Sequence, residues 1–227
     1  MNRKMNVLGV EIDNLTVVEA MERMEAFLKT ESLNTIGIIN AGVLLEAGKE
    51  TSYRERVESL DMSVVGDRDV LLAAGIQDAE RHMEAEDGWF LTTVLEYCAQ
   101  NEKSLAVLGE TKKEAGTLKE HLLDNFPGLH LAGVFSMEDM TGDPDSLINR
   151  INGTAPEIIL ASLSTPLQED FVAANKTKLS ARVWIGTGKT LKCRKSLELK
   201  PGFWDKLIEK RIFKKKISKY QQEKGEA

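Results

Sequence analysis

The polar residues best suited to chemistry stand where short apolar runs end. Asn40 follows Thr35–Ile39; Asp67, Arg68 and Asp69 follow Met62–Val65; Gln168 and Glu169 follow Ile158–Leu163; Thr187, Lys189 and Thr190 follow Val183–Ile185. Such runs, bounded by polar or glycine breaks, read as buried strands. In a parallel sheet these residues would gather on the carboxyl-terminal rim, where ligands bind. A carboxylate there can take a proton, and backbone N–H groups or cations can hold an anion. Each residue also has a structural reading. Asp67 can cap the helix that begins near Val70, Glu169 can be a solvated first-turn residue, and Asn40 can stabilise a turn.

Two glycine turns add to the rim. Gly109-Glu110-Thr111 joins a strand to a helix and could present N–H groups to an anion. Gly186-Thr187-Gly188-Lys189-Thr190 superficially suggests a phosphate loop. The chain lacks the leading Gly that GxxxxGK[ST] needs five residues before Gly188, which argues against a nucleoside-triphosphate loop. His82, His121 and His130 lack metal-ligand spacing, and His82 is expected to be exposed in a charged loop. Cys98 and Cys193 are far apart without CxxC spacing and read as free thiols of a reducing compartment. Trp89, Trp184 and Trp204 read as packing residues.

Strands and helices must alternate to carry these residues. Val7–Ile12 is a first strand or hairpin arm turned by Asp13-Asn14, and Thr16 with Glu19 forms a capping box for a helix over Val17–Lys29. Helices are expected at Val43–Gly48, Ser52–Ser59, from Val70, and at Trp89–Gln100, Lys112–Asn125, Pro144–Asn152 and Leu167–Lys178. Further strands are expected at Ser104–Leu108 and His130–Val134, and Gln77–Gly88 as a charged connection, more loop than element. This alternation predicts an α/β fold: a doubly wound, mainly parallel Rossmann-like sheet with helices on both faces.

At 227 residues the chain can bury a sizeable core, and 42% hydrophobic with 29% charged residues is ordinary for a soluble domain. No apolar run approaches the ~20 residues of a membrane span, and the start lacks a signal-peptide core. Lys192 to Lys219 carries 11 Lys/Arg against three acids, a balance of +8, which leaves −14 for the remainder of a chain of net charge −6. The split suggests an α/β domain over residues 1–191 and a basic C-terminal helical appendage over 192–227. Trp204, Leu207, Ile208, Arg211, Ile212 and Lys215 fall at helical spacing, with Phe213 and Lys214-Lys215-Lys216 beside them. A basic amphipathic helix suits an anionic membrane surface; a solubilising helix packed on the body is the other reading.

The ordered set resembles the WecG/TagA/CpsF family, glycosyltransferase family 26, over roughly Met5 to Lys219. It comprises a VLGVxID-type start, a strand ending in NA, an Asp turn, an LG turn, a PxQE loop and a GxG turn before a basic tail. The resemblance implies an inverting, metal-independent transferase of bacterial cell-envelope polysaccharide synthesis. It would move N-acetylmannosamine or a related sugar from a UDP donor to undecaprenyl-diphosphate-linked N-acetylglucosamine. It would be cytoplasmic and peripheral at the inner face of the membrane. It implies no cofactor beyond the UDP-sugar donor substrate and no nucleic acid, and leaves room for a homo-oligomer or a glycosyltransferase partner. Asp67 matches the family's general base. Asn40 and Ala41 match the end of TPNA; Gln168 and Glu169 match PxQE; Gly186 and Gly188 match GVGG. Arg68, Lys189 and Arg211 are further substrate-binding candidates, Arg211 for the diphosphate.

The chain departs from the family pattern at several points. Ile38 and Ile39 replace the Thr and Pro of TPNA, Gly42 follows Ala41, and Arg68 replaces the glycine of PDG. RVxGxDL becomes RHMEAEDGW, whose Arg falls on His82 or Arg81 and whose Asp falls on Asp87. The acidic end of GVGGxFD becomes Lys192. These changes imply a different donor or weakened catalysis, and with the latter a paralogue acting as scaffold or regulatory partner.

Overall fold

A computed structural model of the protein describes residues 4–140, 145–193, 197–198 and 212–222. The chain opens with a hairpin, β1 (Lys4–Val7) and β2 (Val10–Asp13), followed by α1 (Val17–Phe27) and β3 (Asn34–Ile39). Then come α2 (Ala41–Ala47), α3 (Thr51–Glu58), β4 (Met62–Val65), α4 (Arg68–Ala73), α5 (Ala79–Glu86) and α6 (Trp89–Gln100). The second half runs β5 (Ser104–Gly109), α7 (Lys112–Asn125), β6 (His130–Ser136), α8 (Asp145–Gly153), β7 (Ile158–Ser162), α9 (Leu167–Asn175) and β8 (Val183–Gly186). A small antiparallel pair, β9 (Thr190–Leu191) with β10 (Leu197–Glu198), follows, and residues 212–222 form a last helix, α10.

β3 to β8 build one six-stranded sheet in the order β4-β3-β8-β7-β5-β6, every pairing parallel. Alternation along the strands assigns the two faces. Val107, Leu160 and Ile185 pack against α1, α6 and α7. Ala106, Ile159 and Trp184 pack against α8 and α9, with Trp184 stacked on Phe171 at 5.7 Å. Both faces are apolar because both are covered, as a parallel sheet requires. The architecture is the doubly wound α/β fold that the alternation predicts.

Local chemistry explains the ends of the elements. Thr16 and Thr111 each close a capping box, with Glu19 and Glu114, at the starts of α1 and α7. Three expectations are corrected. The apolar run Val7–Ile12 is broken by a turn at Leu8-Gly9, so it forms the facing ends of two strands. Asp13 ends β2 and is 1% exposed. Its carboxylate accepts from the Ser63 N–H and hydroxyl at 2.8 and 3.1 Å and pairs with Lys4 and Arg23, which fastens the hairpin to β4. The charged stretch Gln77–Gly88 contains α5, capped by Asp78, whose carboxylate accepts from the Glu80 and Arg81 N–H groups. Its inward face is only Ala85 and His82, too small an apolar signal among so many charges to register as a period. His82 is buried, its Nε2 against the Ile76 carbonyl at 2.8 Å.

The last helix docks on the body. Phe213 is 1% exposed within the cluster formed by the hairpin and α2, Ile217 packs against the same cluster, and the Tyr220 hydroxyl donates to Asn6 at 2.9 Å. The inward face therefore runs through 213, 217 and 220. Ile212, placed on the apolar stripe by spacing, is exposed beside Lys215 and Lys219. Arg211, Trp204, Leu207 and Ile208 lie outside the described residues.

Candidate active site

The carboxyl ends of β3, β4 and β8 surround a cavity of about 180 Å3. Asn40 and Ala41 come from the end of β3, Gly66 and Asp67 from the end of β4, and Thr187 and Thr190 from the turn after β8. Ile38, Val64 and Leu91 form apolar walls, and α5 adds Arg81 and Glu84. A main-chain bond from the Gly66 N–H to the Ile39 carbonyl, 2.8 Å long, fixes the strand ends together.

Asp67 stands at the cap position of α4 yet makes no side-chain cap bond. Its Oδ2 accepts the Ala41 N–H at 3.1 Å, and its Oδ1 meets the Lys192 ammonium. The carboxylate is thus held by the neighbouring strand end and turned to the cavity, and the capping reading is corrected. Asn40 caps α2, its Oδ1 accepting the Val43 N–H at 3.0 Å, and it also lines the cavity.

Gln168 and Glu169 are 3% and 5% exposed, so neither is a solvated first-turn residue. The Gln168 Oε1 accepts the Gly188 N–H at 2.9 Å, and its Nε2 donates to Glu169 at 3.2 Å. A Cβ on Gly186 would lie 2.5 Å from Gln168 Nε2, so glycine is required there for the side chain to pass. These two residues support the glycine turn from behind. Burial pushes the Glu169 carboxyl up from its ordinary value, and burial followed by the Glu169 charge pushes the Tyr53 phenol up strongly. Tyr53 Oη and Glu169 Oε2 are near neighbours that make no hydrogen bond of good geometry among the described residues.

Lys189 points away from this cavity. Its ammonium lies between Glu110, at 2.9 Å, and Glu114. Burial pushes Glu110 up, but hydrogen bonds from Lys189 and Ser164 outweigh it and hold the carboxyl down at about 2. Arg68 is exposed and borders a second groove with Asp69, Leu72, Glu86 and Lys214.

The structure separates the alternatives left open around α5. Arg81 lines the cavity while His82 turns to the core. The Arg81 guanidinium donates to Asn14 Oδ1 at 3.1 Å and the Leu15 carbonyl at 2.7 Å and pairs with Glu84. Glu84 is a cavity residue that periodicity did not single out, and burial raises its carboxyl above the ordinary range. Ile38 and Ile39 part company: Ile38 forms the cavity wall, whereas Ile39 is buried in the cluster under α2. Lys192 is the other addition, reached because β9 returns the chain across the mouth of the site.

A doubly wound sheet with a carboxylate at one strand end, a glycine turn at another and an apolar-walled cavity with a polar rim between them has the form of a ligand-binding α/β enzyme site. The comparison with known proteins agrees. Residues 5–194 match the Glycosyl transferase WecG/TagA/CpsF family, and the chain belongs to that family. Relatives include the N-acetylglucosaminyldiphosphoundecaprenol N-acetyl-beta-D-mannosaminyltransferases of Staphylococcus aureus strains MRSA252 and NCTC 8325. Each is 22% identical over 193 residues, covering 83% of this chain and 74% of the relative. Among the described residues no helix is long and apolar enough to cross a membrane.

Proposed function

We propose that this glycosyltransferase moves N-acetylmannosamine, or a closely related N-acetylhexosamine, from UDP to undecaprenyl-diphosphate-linked N-acetylglucosamine, with inversion and without a metal ion. The observation that carries the proposal is the placement of Asp67. A carboxylate at a helix start normally caps that helix; this one is instead tied to the Ala41 N–H and directed into the cavity. There it takes the acceptor hydroxyl proton as the oxygen attacks the anomeric carbon, a role worth about 10²–10⁴ in rate. Asn40, Thr187 and Thr190 supply polar contacts around the donor. Gln168 and Glu169 keep the Gly186–Gly188 turn in shape, and the cations of the cavity are side chains, Arg81 and Lys192.

The acceptor is carried by a lipid, and residues 192–227 are proposed to face an anionic membrane at the inner leaflet. Supporting this, α10 is docked by one face and turns Ile212, Lys215 and Lys219 outward; basic residues near such a surface contribute about 1 kcal/mol each. The alternative of an impaired paralogue acting as scaffold is not favoured, because the cavity keeps its carboxylate and its polar rim. Incubation with UDP-N-acetylmannosamine and a short-chain lipid-diphosphate-N-acetylglucosamine, in the presence of chelator, should add one N-acetylhexosamine to the acceptor. An unchanged acceptor mass with well-folded protein would contradict the proposal.

A further inference from the structure

The cavity at the strand ends and the second groove beside α4 have two lining residues in common, Asp67 and Lys192. These two are an ion pair: the Lys192 ammonium contacts Asp67 Oδ1 and donates to the Gly66 carbonyl at 2.6 Å. The partition between the two spaces is therefore a salt bridge that includes the catalytic base. A base that faces a donor on one side and an acceptor on the other has to stand at such a border.

Two other cations near the strand ends are already committed, whereas Arg68 and Lys214 border only the second groove. Arg81 is held by Asn14, Leu15 and Glu84, and Lys189 by Glu110 and Glu114. Lys192 is held by the one carboxylate that the reaction requires to be free. Its backbone is closely packed while its side chain is partly exposed: Gly88, at φ +65, lies so close that a Cβ there would collide with the Lys192 carbonyl, whereas the Lys192 side chain is 27% exposed. An ammonium on a long stem can swing between two anions a few ångströms apart, and a diphosphate offers it more negative charge than one carboxylate does.

Resting on the transfer reaction proposed above, we propose that Lys192 is a catalytic residue that masks Asp67 in the absence of donor and passes to the donor's diphosphate when it binds. Donor binding then unmasks the base. In the step that follows, the acceptor hydroxyl proton goes to Asp67 and the acceptor oxygen forms its bond to the anomeric carbon. The bond from that carbon to the phosphate oxygen breaks, its electron pair leaving with UDP, and Lys192 faces the additional negative charge. No oxidant, reductant or metal is needed for the balance.

The test is calorimetric titration of UDP into the full-length protein, its Lys192→Ala, Lys192→Arg and Asp67→Asn variants and the Asp67→Asn/Lys192→Ala double variant, with melting curves to verify folding. Loss of a charged contact should weaken UDP about tenfold to a hundredfold in Lys192→Ala, with Arg retaining most of the affinity. Asp67→Asn should tighten UDP, because Lys192 is released to it. The tightening should vanish when Lys192 is absent, since the two residues act as one switch. Equal tightening by Asp67→Asn in both backgrounds would mean simple charge repulsion and would overturn the proposal, as would unchanged affinity in Lys192→Ala. Should Lys192→Ala fail to fold, Lys192→Met takes its place in the cycle, and a weakened Asp67→Asn alone overturns the proposal. Wild-type protein that neither binds UDP nor transfers sugar would instead refute the underlying reaction, and this inference with it.

Discussion

The side-chain carbonyl of Gln168 accepts the backbone N–H of Gly188 across 2.9 Å, joining the start of α9 to the turn after β8. That bond shapes the rim, because the same turn presents Thr187 and Thr190 to the cavity. Gln168→Ala leaves a poorly solvated N–H without its acceptor and is expected to cost about 1–3 kcal/mol of stability. Gly186→Ala should have a related effect by another route, since its Cβ would displace the Gln168 amide. Both variants should also lose donor affinity. Denaturant melts with UDP titrations check this, and an unaltered Gln168→Ala would show that the turn does not depend on this bond.

Glu169 gives a pH-dependent prediction. Burial raises its carboxyl above the ordinary glutamate range, so the folded state retains a proton that the unfolded chain gives up. The resulting stability is complete below the unfolded value and is lost as pH rises through the folded one. Glu169→Gln removes the titration while keeping an acceptor for Gln168. The variant should therefore melt higher than wild type at neutral and alkaline pH, and the difference should shrink as pH falls below the ordinary glutamate range. Melting temperature across pH measures it; a constant offset would refute the assignment.

Lys189 behaves oppositely. Because its bonds hold Glu110 at about 2, the stability they supply is present above the ordinary glutamate range and lost as pH falls toward the folded value. Lys189→Ala leaves Glu110 and Glu114 facing each other, and should cost about 1–3 kcal/mol at neutral pH, between the values for exposed and buried pairs. Most of that cost should disappear in acid. UDP affinity should change far less than in Lys192→Ala, a contrast that a side-by-side titration reads directly.

Much of this was legible in the residues. The 3.6-residue pattern of α6 and the Pro-Gly stop after α7 gave those helices their observed ends. The continuous apolar runs Ile158–Ser162 and Ser104–Gly109 are central strands because both faces of the sheet are covered. Asp67 and Asn40 could be placed on the rim because strand ends in such a sheet share one edge. What escaped was set by tertiary contacts. Nothing local tells that Glu169 is buried against Tyr53, or that β9 carries Lys192 back onto Asp67. Spacing likewise placed Ile212 on the apolar stripe of α10, whereas docking on the hairpin selects Phe213 and Ile217.

In the proposed reaction Asp67 takes the acceptor proton. The most direct measurement is UDP release from UDP-N-acetylmannosamine with the short-chain lipid-diphosphate-N-acetylglucosamine acceptor, wild type against Asp67→Asn. Acceptor-dependent release is expected from wild type, with a loss of about 10²–10⁴ in the variant, which should still bind UDP and melt cooperatively. Release by Asp67→Asn at the wild-type rate would contradict that role.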